Sequence, residues 1–168
     1  MGYETDFDPS TTLNLVSVAA VAGTTSTFTS TVTSNTVIRG LFVTTQLTAQ
    51  TNAATPTTDW STKLPFIPLT PNQCCAIVFG VDHLGTLRMS QGRPIACGIG
   101  VTTTVGSFLQ APQFPDLDND FCPLAYTIVR TAPSAATWTP GAGSWTASGV
   151  SATTFQNVAM LPDRPQIA

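Results

Sequence analysis

The stretch Cys74-Cys75-Ala76-Ile77-Val78-Phe79-Gly80-Val81 is uncharged and apolar from end to end, and Asp82-His83-Leu84-Gly85 and then Thr86-Leu87-Arg88-Met89-Ser90 follow it at once. A short apolar run bounded by turn residues, with β-branched and aromatic side chains in it, predicts a buried strand. The Asp-x-x-Gly punctuation predicts a tight reversal, and Thr86 to Ser90 predicts the hairpin partner. Gly92-Arg93-Pro94 closes that unit, because proline cannot donate to a continuing ladder.

Outward from this hairpin the same reading repeats. Downstream, Pro123 to Arg130 predicts a strand with Leu124, Tyr126 and Ile128 on one face, and the last strand is expected from Ser151 to Leu161. Between them, Trp138 and Trp145 flank Pro140-Gly141-Ala142-Gly143, a hairpin or tight loop. Upstream, the order T-S-T-F-T-S-T-V-T from Thr25 to Thr33 places Phe28 and Val32 on one face and threonines on the other, the period of a half-buried strand. Leu13 to Val21 reads as a nearly continuous apolar strand, and Ser34-Asn35 is read as a turn into Val37 to Thr45.

Two proline-bearing loops are expected, Gln50 to Pro71 and Gly106 to Asp120, since prolines at that density exclude helix and central strand alike. Trp60, Phe66 and Ile67 are expected to pin the first of them. No segment carries a capped i, i+3, i+4, i+7 apolar stripe. The fold expected is all-β: a single β-sandwich, with the jelly roll as its more specific form, long Pro-rich loops and little or no helix. Residues 1–12 would be an N-terminal arm, and residues 13–168 the sandwich domain.

Composition agrees. Thirty of the 168 residues are threonine, a β-branched residue that suits a pleated, half-exposed surface better than a helix. Charged residues make up 9% of the chain, against about 25% in an ordinary domain. So few charges give little self-repulsion and favour association. With Lys63 as its single lysine and a net charge of −3, the chain lacks the cationic stripe that nucleic acid or anionic lipid would require. Its longest apolar stretch, Leu13 to Ala22, is half the roughly 20 residues of a membrane span. The start Met1-Gly2-Tyr3-Glu4-Thr5-Asp6 has no cationic segment of a signal peptide, so synthesis in a cytoplasm is expected.

The single histidine, His83, sits beside Asp82 in the turn, but no G-x-S-x-G elbow presents a nucleophile to it. Asp116, Asp118 and Asp120 begin like a calcium loop. Phe121 then stands where the EF-hand needs glycine and Thr127 where it needs glutamate, so only an irregular site remains as an alternative. Gly98-Ile99-Gly100-Val101-Thr102-Thr103 lacks the third glycine of a dinucleotide fingerprint and signals strand and turn. Trp60, Trp138 and Trp145 could stack a sugar, but core aromatics are the simpler reading. Cys74, Cys75, Cys97 and Cys122 show no C-x-x-C spacing and read as buried thiols, with one disulfide as the alternative. The expectation is a non-enzyme without cofactor or metal.

Phe79-Gly80-Val81-Asp82, Gly85-Thr86-Leu87, Gln91-Gly92, Cys122-Pro123-Leu124-Ala125-Tyr126 and the closing Val158 to Gln166 resemble small virion structural proteins of tailed phages, in particular capsid decoration (cement) proteins. The resemblance implies a β-rich accessory protein on the capsid exterior that binds the major capsid protein and associates as a homotrimer. A tail, fibre or receptor-binding module that presents loops to a glycan is the alternative. The family offers no residues with assigned chemical roles. From the residues themselves, the arm is the candidate for partner binding. Tyr3 and Phe7 would supply aromatic anchors, and Asp8 before Pro9 an acid for basic groups on the partner. Pro162 to Ala168 is a second candidate.

Overall fold

The computed structural model describes residues 13–14, 20–22, 28–30, 33–38, 41–46, 56–153, 155–158 and 160–165. Among them there is no helix, and the elements are β1 (Leu13–Asn14), β2 (Ala20–Ala22), β3 (Phe28–Ser30), β4 (Thr33–Ile38), β5 (Leu41–Gln46), β6 (Gln73–Val81), β7 (Leu87–Gln91), β8 (Ile95–Ala96), β9 (Cys122–Thr131), β10 (Val150–Ala152) and β11 (Gln156–Asn157). Every pairing between them is antiparallel. The chain is all-β.

The largest sheet runs β10-β9-β6-β7, with β11 also on β9 and β8 also on β6. A second sheet runs β1-β4-β5, and β2 pairs with β3. The predicted central run is β6, and the hairpin forms as read, with Val81 opposite Leu87. Its turn is closed by the Gly85 N–H donating to Asp82 O at 2.9 Å, and Gly85 takes a φ of 73°, which glycine adopts without the steric cost of a Cβ.

β6 is buried along both faces because each side of the sheet is covered. On one side Ile77, Phe79 and Val81 join Met89, Val129, Trp138, Trp145 and Phe155 in the main core, to which Ile38 and Val43 contribute from β4 and β5. The aromatic rings pack closely, with centroids 4.9 Å apart for Phe79 and Phe155 and 5.0 Å for Trp138 and Trp145. On the other side Val78, Tyr126 and Phe121 are roofed by Trp60, Phe114, Leu117, Val158 and Leu161. The proline-bearing loops therefore serve as the second layer over this face, which explains a strand with no polar alternation.

Four sequence expectations need correction. Ser34 and Asn35 are inside β4, paired with Thr45 and Thr44, and the reversal lies between Ile38 and Leu41. Ser and Asn are common in turns but do not exclude a strand, where pairing with a partner overrides the local preference. Leu124 does not share a face with Tyr126 and Ile128: it joins the main core while Tyr126 packs on the opposite side. A register shift at Phe79/Gly80 causes this, since Phe79 pairs with Ala125 but Gly80 with Pro123, leaving Leu124 as the extra residue of a bulge. The last strand divides into β10 and β11, which pair with β9 on either side of Thr153; the Thr153 hydroxyl accepts from Ile128 N and its carbonyl from the Thr127 hydroxyl. Ile67 is 58% exposed and pins nothing with its side chain. Its backbone does so instead, exchanging two 2.8 Å hydrogen bonds with the Gln91 amide.

The bulge makes Gly80 irreplaceable in its place. A Cβ there would stand 2.2 Å from Cys122 O and 2.5 Å from the Phe121 ring, and these are backbone and packed aromatic, not a mobile side-chain end. Gly80→Ala is expected to cost about 1–3 kcal/mol or more through overpacking, read as a lower midpoint in urea unfolding with the m-value unchanged.

Candidate functional site

The chemistry-bearing side chains singled out in the sequence converge at the end of the sheet where β6 turns into β7. Asp82 does not orient His83. Its carboxylate is 1% exposed and holds the turn, accepting from Leu84 N and Thr86 N through Oδ1 and from Arg88 Nε through Oδ2, each at 2.8–2.9 Å. The imidazole reaches across to the acidic loop instead. Nδ1 of His83 lies 2.7 and 2.8 Å from the two Asp120 carboxylate oxygens.

A carboxylate fixed on Nδ1 is one half of a proton relay, and a relay needs a nucleophile on the other nitrogen. Among the described residues the ring bonds to Asp120 and to no hydroxyl or thiol.

The acidic loop divides its carboxylates among separate partners. Asp118 accepts from Lys63 Nζ at 3.2 Å and from Asp120 N, while Asp120 holds His83. Among the described residues no group of three His, Cys, Asp or Glu is placed to ligate a metal. Asp118 and Asp120 of the Asp116-x-Asp118-x-Asp120 alternation therefore face different neighbours, and the spacing alone could not show this.

Trp60 lies at the centre of the cluster. Lys63 Nζ stands 3.2 Å from the centroid of its ring and the Arg88 guanidinium carbon 4.3 Å, both within cation–π range. Lys63 thus bridges Trp60 and Asp118, and Arg88 bridges Trp60 and Asp82. The loop carrying Trp60 is itself shaped by Asp59, a buried carboxylate that accepts from Ser61 N, Thr62 N and, across to β7, Gln91 N. Trp60 N donates to Met89 O at 2.8 Å. Together these contacts clasp three chain segments over the Val78–Tyr126 face: the 59–64 loop, the β6–β7 turn and the acidic loop. Lys63 and Arg88 each have a carboxylate partner within the clasp.

Trp138 and Trp145 are buried in the main core, as the simpler reading had it. All four cysteines are buried and unbridged. Burial pushes the Cys75 and Cys122 thiols up to about 12. Cys74 is raised further by burial and by its hydrogen bond with Cys97.

The sequence reading missed a protruding hairpin. After β8 the chain returns on itself through bridges at Cys97↔Phe108 and Val101↔Thr104. Its two limbs approach so closely that a Cβ on Gly106 would meet Gly98 O at 1.7 Å. The tip is tethered, since both the backbone N–H and the hydroxyl of Ser134 donate to Thr102 O, and Arg130 reaches Gly106 O and the Phe108 ring at the base. On this braced loop Ile99 is 85% and Val101 75% exposed. The signal in the sequence is Gly98-Ile99-Gly100-Val101, apolar residues alternating with glycines, a pattern that marks strand and turn but not which side chains face out. Beside the 111–116 loop lies an open groove of about 420 Å³ lined by Arg93, Pro94, Ile95, Gln110, Ala111 and Gln113.

Tyr3, Phe7, Asp8 and Pro9, the partner-binding candidates, lie outside the described residues, as do residues 166–168 of the second candidate. No protein-family model matches the chain, and no curated protein or solved structure gives a significant match.

Proposed function

We propose that this is a non-enzymatic structural protein of a virus particle, a capsid decoration protein that binds the major capsid protein on the outside of the shell and associates as a homotrimer. The observation that carries the reading is the braced hairpin: Ile99 and Val101 stand exposed on a loop fixed at tip and base, on a body with only 9% charged residues. Apolar side chains held rigidly in solvent lose little entropy when a partner covers them, which favours binding. The resemblance of the Phe79-Gly80-Val81-Asp82 and Cys122 to Tyr126 segments to tailed-phage virion proteins points the same way. In this reading the β1-β4-β5 and β10-β9-β6-β7 sheets are the layers of a β-sandwich, and residues 1–12 are a gripping arm. A receptor-binding tail or fibre module is the second reading, favoured by the polar groove around Arg93 and Gln113.

The test is to mix undecorated capsids of the encoding virus with the full-length chain, with a version lacking residues 1–10, and with Ile99→Asp/Val101→Asp. Icosahedrally ordered threefold clusters seen by cryo-electron microscopy are expected for the full-length chain. A loss of about tenfold or more in affinity is expected for each variant, the scale of removing one anchor at an interface. Absence of shell binding, with signal at the tail or on host glycan, would replace this reading by the second.

A further inference from the structure

We propose that Cys74 and Cys97 form an oxidisable pair, a covalent cross-linking site that closes into a single disulfide between β6 and the base of the braced hairpin. Cys74 pairs with Ile95 across the β6–β8 ladder and Gln73 with Ala96; the next residue, Cys97, donates its N–H to Asn72 O at 2.8 Å. Cys97 is thus two residues beyond the partner of Cys74, which puts both side chains on one face as a diagonal pair. The two thiols are near enough on that face for Cys97 to push the Cys74 thiol up. The other two cysteines are placed differently. Cys75 faces the main core beside Gln91, and Cys122 donates toward Pro123 O at the bulge.

An ideal diagonal pair has Cα atoms about 7–8 Å apart, whereas a disulfide needs about 4.4–6.8 Å. A small approach closes the gap. One feature allows it: β8 holds to β6 over only two residues. Short ladders at a sheet margin open locally at low cost.

Oxidation by a low-molecular-weight disulfide such as oxidised glutathione balances as follows. During a local opening the Cys97 thiolate attacks one glutathione sulfur, the S–S bond breaks and one glutathione thiolate leaves. On reclosure the Cys74 thiolate attacks the Cys97 sulfur, the protein disulfide forms and the second glutathione thiolate leaves. Two electrons pass from the protein thiols to the oxidant, and the two protons end on two glutathione thiols. Cys74 is fully buried and Cys97 nearly so, and burial disfavours the thiolate. Closure is therefore slow and follows the opening of β8.

The experiment incubates the folded full-length chain with excess oxidised glutathione, quenches with acid, denatures, alkylates and reads the intact mass and a chymotryptic map. Two of the four thiols should escape alkylation, the mass should fall by two hydrogen atoms, and one peptide should join Cys74 to Cys97. Cys97→Ser should abolish the bridge. Cys122→Ala should keep it at full yield, so a folding defect in the first variant cannot mimic the result. Four alkylated thiols after prolonged exposure, a stable glutathione adduct without closure, or a bridge that uses Cys75 or Cys122 would each overturn the proposal.

Discussion

Asp82→Ala is expected to destabilise the protein by about 3–5 kcal/mol, the range for leaving one partner of a buried ion pair unmatched. The carboxylate has three donors: Leu84 N, Thr86 N and Arg88 Nε. Alanine would orphan two turn amides and leave the Arg88 guanidinium, whose side chain is 32% exposed, beside Trp60 without its counter-charge. Asp82→Asn should cost less. Its carbonyl can still accept both backbone N–H groups, but its NH2 then faces Arg88 Nε, donor against donor. His83→Ala removes the hydrogen bond of an imidazole that is 44% exposed and should change stability by about 1 kcal/mol or less. Guanidinium unfolding at neutral pH, with m-values compared across the series, tests this order. If His83→Ala cost as much as Asp82→Ala, the clasp would depend on the Asp120 pairing and not on the Asp82 turn.

The contrast between these neighbours shows what the sequence could carry. The run from Cys74 to Val81 and its reversal at Asp82 to Gly85 were legible because apolar continuity and turn chemistry are local properties. β9 was legible for the same reason, with a boundary one residue short at each end. Its facing was not legible. That Leu124 and Ala125 both join the main core depends on the bulge opposite Gly80 in another strand, where the Cys122 carbonyl comes close. The partners of His83 and Asp118 were hidden likewise, since each lies across more than thirty residues of chain. Sequence proximity pointed to Asp82, which the backbone of its own turn had already claimed.

The loops show a related limit. Their prolines excluded ladder positions correctly, but a reading of loops as surface connections gave no reason for the second face of β6 to be buried. Phe114, Leu117 and Leu161 roof that face from segments with no periodic pattern. Such packing is set by where the loop returns, which the clasp at Trp60 fixes.

A steep alkaline loss of stability is the other large effect expected, and it comes from the thiols. Burial, the chief cause in each case, raises Cys75 and Cys122 from an ordinary 9.0 to about 12 and raises Cys74 as well. A group held protonated in the fold but free to ionise when unfolded stabilises fully below the unfolded pKa. That contribution is lost as pH rises through the interval up to the folded pKa. Below about pH 9 the effect is therefore flat. Above it, each thiol lowers stability by about 1.4 kcal/mol per pH unit, so the three together lower it by roughly 4 kcal/mol per unit. A typical domain has about 5–15 kcal/mol in all. Unfolding between pH 10 and pH 12 follows. The chain's composition makes the test clean, because the fourth cysteine, one lysine and two tyrosines are its other side chains that ordinarily titrate in this range. Urea midpoints at pH 7, 9 and 10.5 should show a plateau and then a fall. Cys122→Ala should flatten the alkaline slope by about one third while shifting the neutral plateau separately. An unchanged slope in that variant would mean that the thiol ionises as readily in the fold as in the unfolded chain, contrary to its place beneath the bulge at Gly80.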